Sequence, residues 1–423
     1  MKLNYRQTFL IGFGFFASSI AWAMYNNYVP ILLKNYLTST TLIGIVMTFD
    51  NIFGVIFQPL FGTLSDRTRT RFGRRMPYIL IGIPVCAVAF PFIPYTKSLF
   101  SLMAVVIIFN FVMSTWRAPV VALMPDLTPA SLRSQANGII NFMGGLGSLF
   151  SFFAGGLLFK AGGMPLPFLA SALLMLAAVI VLKVFIRETA AAGLHTVEVG
   201  TENTNENSQP PAAANTSDIR ASASSKPAPG SRVSLIFLLL AILFWFSGYN
   251  AIETFFSLYV TNTLKDSAGN FLTAGDASLL LAMFSLTFLF FSIPAGFISV
   301  KIGRKNTILI GLMGVMVLFA LMMFINNIMA LRILLLLGGI FWACVNINSL
   351  PMVVEMAKWK DIGKYTGYYY FFSFSAAIIS PILFGFIRDL VVRYDSIFAY
   401  SAVSYGLAIV CMLFVKHGEA QKI

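Results

Sequence analysis

The sequence predicts an all-α membrane protein: twelve transmembrane helices in two pseudo-symmetric six-helix bundles. Three observations predict it. The 423-residue chain is 58% hydrophobic and 11% charged, with a mean hydropathy of +0.82. Its apolar residues fall into twelve runs, each close to the ~20 residues that cross a hydrocarbon core. The last six runs repeat local patterns of the first six. Soluble proteins carry about 25% charge, so too little polar surface is available here to keep a folded chain in water. Soluble enzymes, disordered proteins and nucleic-acid-binding domains are excluded, and the net charge of +13 is read by location.

The first bundle, 1–187, holds runs at about 8–33, 42–64, 77–96, 100–124, 135–159 and 164–186. Lys2, Arg6 and an Ala21-Trp-Ala23 site mimic a secretory leader. The segment is read as helix 1 because it has a counterpart in helix 7. Residues 188–231, rich in Thr, Asn, Ser, Ala and Pro, are expected to form a disordered linker. The second bundle, 232–423, holds runs at about 233–262, 276–299, 306–325, 329–354, 364–387 and 396–415. With the N-terminus inside, 21 of the 29 Lys and Arg fall on the cytoplasmic side and seven outside, leaving Arg117 within helix 4. Both termini and the linker are therefore expected in the cytoplasm, in the cell membrane.

The repeat is local and specific. Helix 2 ends Gly62-Thr-Leu-Ser65-Asp66-Arg67, then Arg71-Phe-Gly73-Arg74-Arg75; helix 8 ends Gly296-Phe-Ile-Ser299, then Lys301-Ile-Gly303-Arg304-Lys305. Trp22-Ala-Met-Tyr25-Asn26 of helix 1 parallels Trp245 through Tyr249-Asn250 of helix 7, and helices 4 and 10 end at Asp126 and Glu355. Parallel six-helix repeats follow. Asp66, Asp126 and Glu355 stand near loop arginines, so these turns are candidate conformational latches; a solvated positive-inside loop is the alternative. The glycines at 62 and 296 would let helix ends approach closely.

These residues carry a resemblance. The chain resembles the major facilitator superfamily, and the loop Gly62–Arg75 is similar to that superfamily's loop 2–3 signature. Gln58-Pro59 through Arg67, Arg71 through Pro77-Tyr78, and Arg117-Ala-Pro119…Asp126 resemble the sucrose/proton symporter branch, which is related to the glycoside–pentoside–hexuronide:cation symporters. The resemblance implies alternating access, a sugar as substrate, and a cavity lined by helices 1, 4, 7 and 10. Melibiose-type members carry two helix-2 aspartates one turn apart, the second just before a proline. This chain has Gln58 before Pro59 and Gly54 one turn earlier, so protons are expected rather than sodium.

Only 16 residues are acidic. Asp50 in helix 2 and Glu253 in helix 7 lie deep in their spans, and Arg117 is the deep base. A charge at a helix centre costs about 2.5–3.5 kcal/mol, which argues for a shared water-filled cavity where the charges pair or titrate. Asp50 is the leading proton carrier, with Arg117 stabilising its ionised state; a static Asp–Arg pair is the alternative. Glu253 is a second candidate carrier or an acceptor for sugar hydroxyls. Trp22, Trp116, Trp245 and Trp342 lie on helices 1, 4, 7 and 10. With Trp22, Trp116 and Trp342 stand Asn26, Asn27, Asn250, Asn346, Asn348 and Gln58 as substrate candidates. Flat rings pack on the C–H faces of a sugar, and amides meet its hydroxyls; ordinary packing is the alternative.

Small residues on helix 5 (Gly138, Gly144, Gly145, Gly147, Gly155 and Gly156) and on helix 11 suit sliding contact between the halves; static packing is the alternative. Cys86, Cys344 and Cys411 lie in apolar runs and are read as packing residues. His195 and His417 fall in polar segments, and no phosphate-binding GxxxxGK[ST] loop occurs. The expectation is a monomeric secondary transporter without enzymatic activity, metal or cofactor, whose partners are a small sugar, a proton and the lipid bilayer, with no nucleic acid. Its rivals are a proton-driven exporter of drugs or metabolites and a non-transporting sugar sensor.

Overall fold

A computed structural model of the chain describes residues 3–128, 132–186, 188, 231–325, 327–357 and 362–419. The linker expected at 188–231 lies outside the described residues except at its two ends, as do His195, Lys358 and Lys360. Among the described residues, twelve helices are long and apolar enough to span a bilayer. In chain order they are α1 Tyr5–Lys34, α2 Thr40–Arg67, α3 Met76–Tyr95, α4 Leu99–Leu127, α5 Arg133–Gly162 and α6 Pro165–Phe185. They continue as α7 Ser231–Thr263, α8 Ala274–Ile302, α9 Arg304–Met322, α10 Ile328–Glu355, α11 Ile362–Val391 and α12 Ser396–Leu413. Helices run a few residues past the apolar runs because polar caps close them outside the hydrocarbon. Ser98 and Thr273 form capping boxes on α4 and α8, and Asn327 caps α10. α2 is interrupted at Thr48, two residues before Asp50, and α3 finishes in a 3-10 turn over Phe90–Tyr95.

The helix pairings repeat with an offset of six. α1 packs on α5 and α6, α2 on α4, and α3 on α4 and α6. Likewise α7 packs on α11 and α12, α8 on α10, and α9 on α10 and α12. The two bundles meet mainly along α5–α8 and α2–α11, with α1 against α7 at the centre.

The described chain ends near Glu188 and Glu419 meet the α2–α3 and α8–α9 turns at Arg75 and Arg304, at one end of the molecule, here the terminus face. At the opposite, far face the bundles touch backbone to backbone. A Cβ added at Gly156 would lie 2.8 Å from the Gly275 carbonyl oxygen, and one at Gly385 would lie 2.7 Å from that of Thr40. Toward the terminus face the equivalent positions are open: nothing lies within 4 Å of a Cβ built at Gly138, Gly296 or Gly367. The close approach expected at Gly62 and Gly296 is not made in this state, because the bundles splay apart at that end; Gly62 meets only Ala118 of its own bundle, at 3.8 Å.

Candidate functional site

A cavity of ≈270 Å³ lies between the bundles, just below the ~300–1,000 Å³ typical of small-molecule sites. α1 contributes Trp22, Asn26 and Asn27, α4 contributes Arg117, α7 contributes Phe246, Tyr249 and Glu253, and α10 contributes Trp342 and Asn346. Tyr249 and Glu253 sit one turn apart, so a single face of α7 brings a ring and a carboxylate to the same space.

The aromatic wall is ordered. The Tyr249 and Trp342 rings stack at 4.5 Å and 5°. Phe246 and Tyr405 meet Trp342 edge-on, at 5.8 Å and 6.3 Å. Such pairs add about 0.5–1.5 kcal/mol beyond burial, so the box is preformed.

The three deep charges are near one another without being paired. Asp50, Glu253 and Arg117 interact electrostatically. Among the described residues no ion pair within 4 Å joins Arg117 to either acid. The Arg117 guanidinium instead lies 4.5 Å over the Trp22 ring, a cation–π contact worth up to about 2 kcal/mol when desolvated. Glu253 lines the cavity together with Asn26. Asp50 is 4% exposed and sits in the first turn after the break in α2. Its carboxylate accepts from the Asn51 backbone and, at 2.7 Å, from the Asn51 side chain. One acid is therefore open to the cavity and the other is secluded behind it.

The structure separates the other substrate candidates. Trp22, Asn26, Asn27, Trp342 and Asn346 line the cavity. Trp116 is buried against Gly82 of α3, inside the first bundle. Asn250 and Asn348 donate to the carbonyls of Phe246 and Cys344 on their own helices, at 2.7 Å and 2.9 Å. Gln58 is half-buried one turn from Gly54, and its amide nitrogen stands 3.0 Å from a Cβ built there. Phe246 and Tyr405 join the cavity without having been singled out; in a chain that is 15% aromatic, nothing in the sequence marks them.

At the terminus face the repeated turns form matching ion clusters. In the first bundle Arg74 pairs with Asp126 at 2.7 Å, and Arg75 pairs with Asp126 at 2.9 Å and with Asp66. Arg75 also donates to the Gly62 carbonyl at 3.2 Å. Arg67 is exposed. In the second bundle Arg304 pairs with Glu355 at 3.0 Å.

A further acid completes each cluster. Glu188, just past α6, accepts from the backbone N–H groups of Arg75 and Met76 at 2.8 and 3.2 Å. Glu419, past α12, accepts from those of Arg304 and Lys305 at 2.7 and 2.8 Å. Each carboxylate neutralises the positive start of the third helix of its bundle. Gly73 and Gly303 permit it: both have positive φ, +102° and +90°, and both pack against that carboxylate.

At the far face the polar contacts cross between bundles. Asp389 of α11 accepts from Ser39 Oγ, Thr40 N, Thr41 N and Thr41 Oγ1 at 2.7–2.9 Å, capping α2 of the other bundle. Lys160 of α5 pairs with Asp276 of α8 at 2.6 Å.

A family model described as the Major Facilitator Superfamily matches residues 11–275 and 268–422. The chain belongs to the major facilitator superfamily. Membership makes it an integral membrane transporter rather than an enzyme. Proton-associated sugar transporter A of Homo sapiens is 38% identical over 79 residues, covering 18% of this chain and 10% of that protein. Tetracycline resistance protein, class H, of Pasteurella multocida is 24% identical over 91% of this chain and 90% of that protein. Against several curated relatives the chain spans less than half of the relative's length, from 10% to 41%. A crystal structure of the nucleoside transporter NupG superposes with a TM-score of 0.70 at 16% identity, covering 97% of this chain and 99% of that one. Sugar transporters and drug-resistance proteins thus both stand among the superfamily relatives.

Proposed function

We propose that the chain imports a sugar, a di- or oligosaccharide glycoside, together with a proton, by alternating access in a cell membrane with both termini cytoplasmic. The bundles 1–187 and 232–423 are the rocking bodies. The observation that carries this reading is the cavity itself: a preformed aromatic box, amides at Asn26, Asn27 and Asn346, and Glu253 and Arg117 on its wall, with Asp50 buried nearby. Rings take the C–H faces of a sugar while amides and Glu253 take its hydroxyls. With Asp50 and Glu253 ionised, the set carries one negative charge beyond Arg117, and one proton balances it. The secluded Asp50 holds that proton while Glu253 faces the substrate. Arg117 parked on Trp22 leaves Asp50 protonated; when Arg117 moves to Asp50 the proton leaves. Sodium is less suited, since a hard cation seeks six or so oxygen ligands and Asp50 is the one acid on its helix within the span.

The test is transport in proteoliposomes by Asp50→Asn. Accumulation of sugar driven by a pH gradient is lost, while exchange of external for labelled internal sugar persists. Equal loss of both would make Asp50 a binding or folding residue. A second reading, proton-driven export of a lipophilic compound, is favoured by the near full-length match to the tetracycline resistance protein. A cationic dye that exchanges while no sugar does would replace the first reading with the second.

A further inference from the structure

We propose that the groove between α11 and α12 is a phospholipid site that seats one acyl chain and selects an ethanolamine headgroup. The groove is a break in the repeat. α5 and α6 pack along one another, whereas their counterparts α11 and α12 touch only briefly and leave α7 as a half-buried floor at Leu243 and Phe244. The space between them is ≈810 Å³, about three times the central cavity.

Its shape fits a lipid chain. Ile379, Leu383, Ile387 and Val391 form one wall at four-residue intervals, and Val403 and Leu407 stand on the other. From Ile379 to Val391 the wall rises ~18 Å at 1.5 Å per residue, close to the ~15 Å of one leaflet's hydrocarbon. An empty crevice of this size in hydrocarbon would forfeit its dispersion contacts.

The mouth fits a zwitterion. Two charged residues, Arg393 and Asp395, line it, in the turn joining the two helices. They pair with each other, but the Arg393 side chain is 71% exposed. Such surface pairs are worth ~0–1 kcal/mol and exchange readily. A phosphoethanolamine inserts between them, its phosphate on the guanidinium and its ammonium donating to the carboxylate. The quaternary ammonium of choline has no N–H to donate, and a glycerol headgroup has no cation.

The experiment is native mass spectrometry of the full chain in detergent, titrated with phosphatidylethanolamine, phosphatidylcholine and phosphatidylglycerol of identical acyl chains. Ethanolamine lipid is expected to be retained about tenfold or more over the other two, the effect of one charge-assisted hydrogen bond. Asp395→Asn reduces it to the choline level. Leu383→Trp, which changes a lipid-facing residue and fills the groove, lowers retention of all three with thermal melting unchanged. Equal retention of ethanolamine and choline lipids by the wild type overturns the proposal, as does a preference that survives Asp395→Asn. A lipid-independent dimer abolished by Leu383→Trp also overturns it, by making the groove a surface for a second copy.

Discussion

The two ends of the molecule hold their charges in opposite ways. At the far face the carboxylates of Asp389 and Asp276 bind partners in the other bundle. At the terminus face those of Asp126, Glu188, Glu355 and Glu419 bind partners within their own bundle. If the bundles rock as proposed, the far-face contacts must break and the terminus-face contacts need not. On that proposal the far-face set acts as the latch that biases which state is populated, and the terminus-face turns, expected from sequence as latches, act as braces that keep each bundle rigid.

The comparison can be broken by substitution, and the largest effect is expected at a brace. Asp126→Ala leaves Arg75, only 5% exposed, and Arg74 without their shared carboxylate. Removing one partner of a buried pair costs about 3 kcal/mol, so thermal melting in detergent should drop sharply. The conformational distribution should stay as in the wild type.

Asp389→Ala is the converse. It removes an interbundle cap worth about 1–2 kcal/mol, a shift of roughly tenfold toward the state open at the far face. Pulsed spin-label distances between probes at Lys97 and Lys265 should lengthen with little change in melting. A change in melting without a change in distance would move Asp389 from latch to brace.

Arg304→Gln, in the more exposed second-bundle cluster, should cost about 0.5–1 kcal/mol and so lower melting less than Asp126→Ala. The smallest effect is expected for Lys160→Gln. Its partner Asp276 retains the capping box with Thr273, so only an exposed pair worth about 0.5 kcal/mol is lost, a twofold shift in the same spin-label distances.

The fold was legible because apolar runs of spanning length leave little alternative, and because the turn Gly73-Arg74-Arg75 recurs at Gly303-Arg304-Lys305. The deep charges Asp50, Glu253 and Arg117 were legible because the membrane makes each one costly. The direction in which a tryptophan points was not. These helices are apolar on every face, so nothing in their sequence separates Trp22, which meets the cavity, from Trp116, which packs on Gly82. Glu188 and Glu419 lie outside the spans, where an acid costs little and so carries no signal of its own, although each follows the last helix of its bundle. Asp389 carries no sequence signal, since its partners at Ser39, Thr40 and Thr41 are about 350 residues away.

The most direct test of the account is the pH outside proteoliposomes when a sugar is added, screened across mono- and disaccharides. The wild type is expected to alkalinise the outside with a disaccharide glycoside, and Asp50→Asn to leave the pH unchanged while still exchanging that sugar. Sugar uptake with no proton movement, or an Asp50→Asn variant that alkalinises as the wild type does, would contradict it.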